Sequence, residues 1–239
     1  MAQSIGIGSL EIFFALSGGI LPALLWLWFW LKEDPHPEPR RILILTFLAG
    51  MVMAVVSLFL EQIAQWLLSD FFAGFSPALT MGLLLVVWAG IEEIAKYQAA
   101  RRDFRLKAFD EPVDALIYLI TAALGFAALE NVLFLLKVFS AQGMVVGFIT
   151  GNLRFLGATL LHLSASAIVG VSIAFSFFHK EKMHRNVFWG LSLATALHAL
   201  FNYLIIKSGG VGLFKILVPL WLAVIILMLV FEKIRNLTK

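Results

Sequence analysis

The sequence predicts an all-α, polytopic bundle of about seven transmembrane helices, and three observations carry that prediction. Hydrophobic residues fill 61% of the 239 positions and charged residues only 14%, against about 25% charged in a typical soluble domain. The mean hydropathy is +0.95. The apolar stretches run for roughly 20 residues, enough for a helix to cross about 30 Å of hydrocarbon, rather than the roughly 10-residue alternating segments of a membrane barrel. In lipid the backbone polar groups have to be satisfied within the chain, so runs of this length fold as helices.

Seven runs follow in order: 9–31, 42–60, 78–95, 113–136, 153–178, 187–206 and 213–231. The first carries Trp26, Trp28 and Trp30 towards its end, as interface aromatics do. It lacks a preceding basic region and reads as a span rather than a cleaved signal peptide. Pro35, Pro37 and Pro39 stiffen the first connector. Glu61, Gln62 and Gln65 read as caps on the outer end of the second run. The connector 101–111 alternates charges with Phe104, Leu106 and Phe109 and reads as lying along the interface. Ser208-Gly209-Gly210 separates the last two spans. No internal repeat is visible, so residues 1–239 read as one membrane domain.

Most of the 18 lysines and arginines fall in the first, third and fifth connectors and the C-terminal tail, with Lys96 counted in the third. That bias predicts an N-terminus outside and a C-terminus in the cytoplasm. A net charge of +3, concentrated in short loops, speaks of topology and not of nucleic-acid binding. The absence of cysteine excludes thiol nucleophiles and thiolate metal sites.

Several ionisable residues sit inside the apolar runs, where each costs about 2.5–3.5 kcal/mol to insert and is a functional candidate by default. The third run closes on Glu92, Glu93 and Lys96. Glu92 and Lys96 are four apart and share a face, which predicts an ion pair; Glu93 points about 100° away. Both glutamates also read simply as the inner end of a span. Glu130 lies within the fourth run, His162 in the fifth and His198 in the sixth, with Asn202 one turn beyond His198. Counted from the run ends, the histidines share a depth on the outer side of the midplane and Glu92 lies nearer the inner face. Ser164 and Ser166 read as packing or backbone-bonding residues.

These groups suit hydrolysis. A carboxylate takes a proton from water and a histidine transfers protons or polarises a carbonyl. Two histidines and a glutamate equally suit zinc with one position left open. Intramembrane glutamate and histidine also build proton relays, so a proton-coupled transporter stays open at this point, as does a non-catalytic membrane scaffold.

Five stretches in order resemble the PrsW family of intramembrane proteases, relatives of the CAAX-processing and bacteriocin-processing proteases. The match covers residues 90–203. It begins with Glu92-Glu93 and Lys96, followed by Asp110-Glu111-Pro112-Val113-Asp114-Ala115, where Glu111 interrupts an Asp-Pro pair and Ala115 replaces glycine. Gly125-Phe126-Ala127-Ala128-Leu129-Glu130-Asn131 comes next, then Arg154 with His162 and Gly170, and finally Leu197-His198-Ala199-Leu200-Phe201-Asn202. The resemblance implies an intramembrane peptidase of the bacterial cytoplasmic membrane whose substrate is a membrane-anchored protein, such as a single-pass anti-sigma factor. It implies catalytic roles for Glu92, Glu93, Glu130, His162, His198 and Asn202. Glu92 would activate water, the histidines would assist, and Asn202 would stabilise the oxyanion. In a metal-dependent version Glu130, His162 and His198 would hold zinc; in a metal-free version Glu92 would work with the histidines alone.

Overall fold

The computed structural model describes residues 8–208 and 213–235. Among these are eight α-helices and no strand: α1 (Ser9–Lys32), α2 (Arg40–Phe72), α3 (Pro77–Ala100), α4 (Asp114–Gln142), α5 (Met144–Leu156), α6 (Ala158–Ala174), α7 (Met183–Ser208) and α8 (Leu213–Arg235). Seven spans are long and apolar enough to cross a membrane, with α5 and α6 together forming the fifth. Gly209, Gly210 and Lys239 lie outside the described residues.

The bundle is built around α4, which packs against α1, α2 and α6. Residues 114–128 are all buried, as befits a helix that is apolar on every face. A Cβ on Gly125 would stand 2.0 Å from the carbonyl oxygen of Phe47, and one on Gly50 would stand 2.1 Å from that of Ala122. Hence α2 and α4 cross backbone to backbone, the close approach that small residues permit between helices in lipid. The outward faces carry large apolar side chains, Leu21, Trp66, Phe71 and Leu229 among them, each more than 60% exposed. In a bilayer those faces meet acyl chains.

Three element boundaries differ from the sequence reading. The fifth span begins at Met144, not at residue 153, because Gly143 takes φ 82° and turns the chain straight back from α4 into α5; that backbone region favours glycine. The span is then broken at Gly157 (φ −120°, ψ −75°), and α5, with 13 residues, covers only about 20 Å by itself. The second helix runs on to Phe72, so Glu61, Gln62 and Gln65 lie inside it rather than capping its end. The third continues to Ala100 behind a Ser76 cap that accepts from the Leu79 N–H at 3.4 Å. Lys96 is therefore a helical residue, wholly buried, and not a loop cation.

At the end of the bundle that carries the first connector, polar contacts tie the loops down. The Tyr118 hydroxyl donates to the Glu38 carboxylate, and Asp114 Oδ2 accepts from the backbone N–H groups of Asp110 (3.0 Å) and Glu111 (2.7 Å). The Thr46 hydroxyl donates to Asp103, which is fully buried. The connector 101–111 thus folds back onto the bundle. Burial pushes the carboxyls of Asp34 and Glu38 above their usual range.

Candidate active site

Three carboxylates, two imidazoles and two cations meet where α3, α4, α6 and α7 converge beside the end of α5. From α3, one turn of helix projects Glu92, Glu93 and Lys96. The ammonium prefers the carboxylate that is itself fully buried: Lys96 Nζ lies 2.6 Å from Glu93 Oε1 and 3.9 Å from Glu92 Oε2. The expected Glu92–Lys96 pair is thus the longer of the two contacts. A buried charge needs a partner at hydrogen-bond distance, and the i+3 neighbour supplies it.

His198 of α7 places Nδ1 2.7 Å from Glu93 Oε1. His162 of α6 stands between two charges, with Nδ1 2.8 Å from Lys96 Nζ and Nε2 2.6 Å from Glu130 Oε2. These partners assign the tautomers. An ammonium can only donate, so His162 Nδ1 accepts and Nε2–H donates to Glu130; His198 donates Nδ1–H to Glu93 and turns Nε2 inward. The two rings stand edge to face, centroids 5.1 Å apart. Ser166, expected to pack or bond to backbone, donates to Glu93 Oε2 at 3.4 Å.

Glu92 completes the centre. Its Oε2 is 3.7 Å from His162 Nδ1 and 3.8 Å from His198 Nε2, and that oxygen is buried with no hydrogen-bond partner among the described residues. An orphaned carboxylate oxygen between two imidazole nitrogens is a donor set that fits zinc, and the ligand atoms of Glu92, His162 and His198 all lie within 4.8 Å of one another. The converging group therefore contains Glu92 where the sequence expectation had Glu130. Glu130 is engaged instead with His162 and, through Oε1, with Arg154 Nη2 at 2.8 Å. Carboxylates behind both histidines are the arrangement that fixes imidazole ligands in known metal sites. Lys96 Nζ competes for the same His162 nitrogen.

Five of the six expected residues are thus joined by direct contacts. The sixth, Asn202, is partly exposed one turn beyond His198 and makes no hydrogen bond among the described residues. The apparent mismatch in depth vanishes because the helix ends are not level. Reaching Ala100, α3 extends five residues past the expected end, while α6 stops at Ala174, four short of it. At about 1.5 Å per residue both shifts bring Glu92 and His162 together. Sequence reasoning gave no site role to Lys96, Arg154 or Glu61, the last lying mid-helix on α2 within electrostatic reach of Glu92 and Glu130. Lys96 could have been found from its i+3 spacing to Glu93.

Comparison with known proteins places the chain in a family. The family model described as PrsW family intramembrane metalloprotease matches residues 38–230. "Protease PrsW" of Geobacillus kaustophilus (strain HTA426) is 27% identical over 222 residues, covering 89% of each chain. Its namesake in Bacillus subtilis (strain 168) is 28% identical over 69% of this chain and 67% of its own, and that of Halalkalibacterium halodurans is 28% identical over 88% and 92%. No solved structure matches significantly. With the family model covering most of its length, the chain belongs to the PrsW family of intramembrane metalloproteases and is an integral membrane peptidase.

Proposed function

We propose that Glu92 is the general base of this peptidase, acting with His162 and His198 on a peptide bond of a single-pass membrane protein of the anti-sigma type. The observation that carries the assignment is the state of its Oε2: buried, unpartnered and flanked by two imidazole nitrogens. The charges support it. Lys96 neutralises Glu93 and Arg154 neutralises Glu130, which leaves Glu92 as the site carboxylate with no cation at hydrogen-bond distance, its nearest being Lys96 at 3.9 Å, and free to accept a proton from water at Oε2.

Glu93 holds His198 with Nε2 facing the reacting space, and Glu130 does the same for His162 Nδ1. Asn202 offers an amide donor one turn from His198 for an oxyanion. Glu92, His162 and His198 are also the residues that would hold zinc, which would supply Lewis acidity to a carbonyl and to water; in that case Glu92 would be a ligand in place of the base. With Lys96 removed from the loop cations, the remaining bias of basic residues still supports an N-terminus outside and a C-terminus in the cytoplasm, in the bacterial inner membrane.

The test uses purified protein in liposomes with a panel of tagged single-pass substrates, comparing wild type, Glu92→Ala and chelator-treated wild type. Cleavage by untreated wild type alone supports the metal reading, in which Glu92 is a ligand. Cleavage that resists the chelator selects the metal-free glutamate reading, and equal cleavage by Glu92→Ala overturns the assignment.

A further inference from the structure

The Arg154 guanidinium lies at the end of α5, just before the break at Gly157. It makes three contacts, all with α4. Nη2 is 2.8 Å from Glu130 Oε1, Nε donates to Asn131 Oδ1, and the guanidinium carbon stands 4.3 Å from the centre of the Phe134 ring. Asn131 in turn donates to Thr159 Oγ1 at 3.0 Å, in the first turn of α6. The break is thereby bound to α4 from both sides. His162 follows Thr159 on α6 and gives Nε2–H to the other oxygen of the same Glu130 carboxylate.

We propose that Arg154 is a positioning residue for the reaction: its guanidinium orients the Glu130 carboxylate, which holds the His162 ring by its Nε2–H so that Nδ1 faces Lys96 and Glu92. The inference rests on the site reading above and extends it. A guanidinium carries its charge at any working pH, so a carboxylate paired with it presents acceptors only. The His162 ring proton then stays on Nε2, and the Nδ1 lone pair is directed at Lys96 Nζ (2.8 Å) beside Glu92 Oε2 (3.7 Å). Glu130 is the most exposed of the three site carboxylates, its side chain 28% accessible against 13% for Glu92 and none for Glu93. Without a second anchor such a side chain turns away from the imidazole. Glu93 receives the same service from Lys96, so each histidine is held by a carboxylate and each of those carboxylates by a cation.

A purely structural role, stapling α5 to α4, is separable from this one. The experiment compares wild type, Arg154→Met, Arg154→Lys and Glu130→Gln in the full-length protein, measuring melting temperature, kcat and KM on a cleaved reporter, and the ¹⁵N NMR of ring-labelled histidine. His162→Gln assigns the resonance. The expected result for Arg154→Met is a folded protein with unchanged KM, kcat lower by about 10–100-fold, and a His162 Nε2–H resonance moved from its wild-type position as the bond to Glu130 is lost. Arg154→Lys, which keeps the charge, recovers part of kcat. Glu130→Gln, with the guanidinium intact, moves the same resonance and serves if Arg154→Met fails to fold. A His162 Nε2–H resonance at its wild-type position in both Arg154→Met and Glu130→Gln overturns the proposal. So does a loss of kcat that only follows the folded fraction. Full cleavage by His162→Gln overturns the underlying site reading instead, whatever the Arg154 variants do.

Discussion

Glu93 and His198, 105 residues apart, meet at 2.7 Å through Oε1 and Nδ1, and the same oxygen takes the Lys96 ammonium at 2.6 Å. One fully buried carboxylate thus organises both a cation and an imidazole. Its neighbour Glu92 is left without such a partner, and it is on this asymmetry between adjacent residues of identical chemistry that the proposal of Glu92 as the reactive glutamate rests.

Glu92→Gln is expected to abolish cleavage while leaving the fold intact. Glu92 Oε2 has no hydrogen bond to lose, so the melting temperature stays near wild type. Removing a general base lowers kcat by about 10²–10⁴-fold. A reporter cleavage assay beside thermal unfolding in the same detergent checks both halves.

Lys96→Met is expected to destabilise the protein by about 3–5 kcal/mol, because it strands a buried carboxylate. Adding Glu93→Gln removes the stranded charge and recovers much of the loss. Denaturant titration of the single and double variants measures the difference. Equal stability of Lys96→Met and wild type would show that Glu93 does not depend on the ammonium.

Gly125→Ala and Gly82→Ala are expected to have opposite signs. A Cβ at 125 meets the Phe47 carbonyl oxygen at 2.0 Å, whereas one at 82 meets nothing within 4 Å. The first costs about 1–3 kcal/mol or more by overpacking, and the second stabilises α3 by about 0.5–1 kcal/mol. Paired thermal melts decide the matter.

Glu38→Gln is expected to flatten the pH dependence of stability at the loop end. Burial raises the folded-state pKa of Glu38 above its ordinary 4.5, so the folded state favours the protonated form. Its contribution is present in full below 4.5 and is lost as pH rises through the raised folded value. Glutamine keeps a neutral acceptor for the Tyr118 hydroxyl at every pH. Melting temperatures taken from about pH 4 to pH 8 should slope less in the variant than in wild type.

The helical membrane fold was legible because apolar runs of spanning length leave little else to build in lipid. The residues that gather at the candidate site were legible for the same reason: Glu130, His162 and His198 interrupt runs that pay for each charge. Lys96 and Arg154 were harder to see. Each stands near the end of an expected run, where a cation in sequence looks the same whether it snorkels to the interface or turns inward to a carboxylate. The break at Gly157 escaped notice because one glycine inside an apolar run leaves its hydropathy almost unchanged. Depth was misjudged because counting along a run cannot say that neighbouring helices end at different levels.

The crossing at Gly50 and Gly125 also limits how the protease opens. Where peptide planes touch directly there are no side chains to repack, and the two helices can neither slide nor part without separating the backbones themselves. The Glu130 wall of the candidate site is therefore seated on α2 through backbone-to-backbone packing, and we propose that room for an incoming transmembrane segment is made by helices on the opposite side of the site.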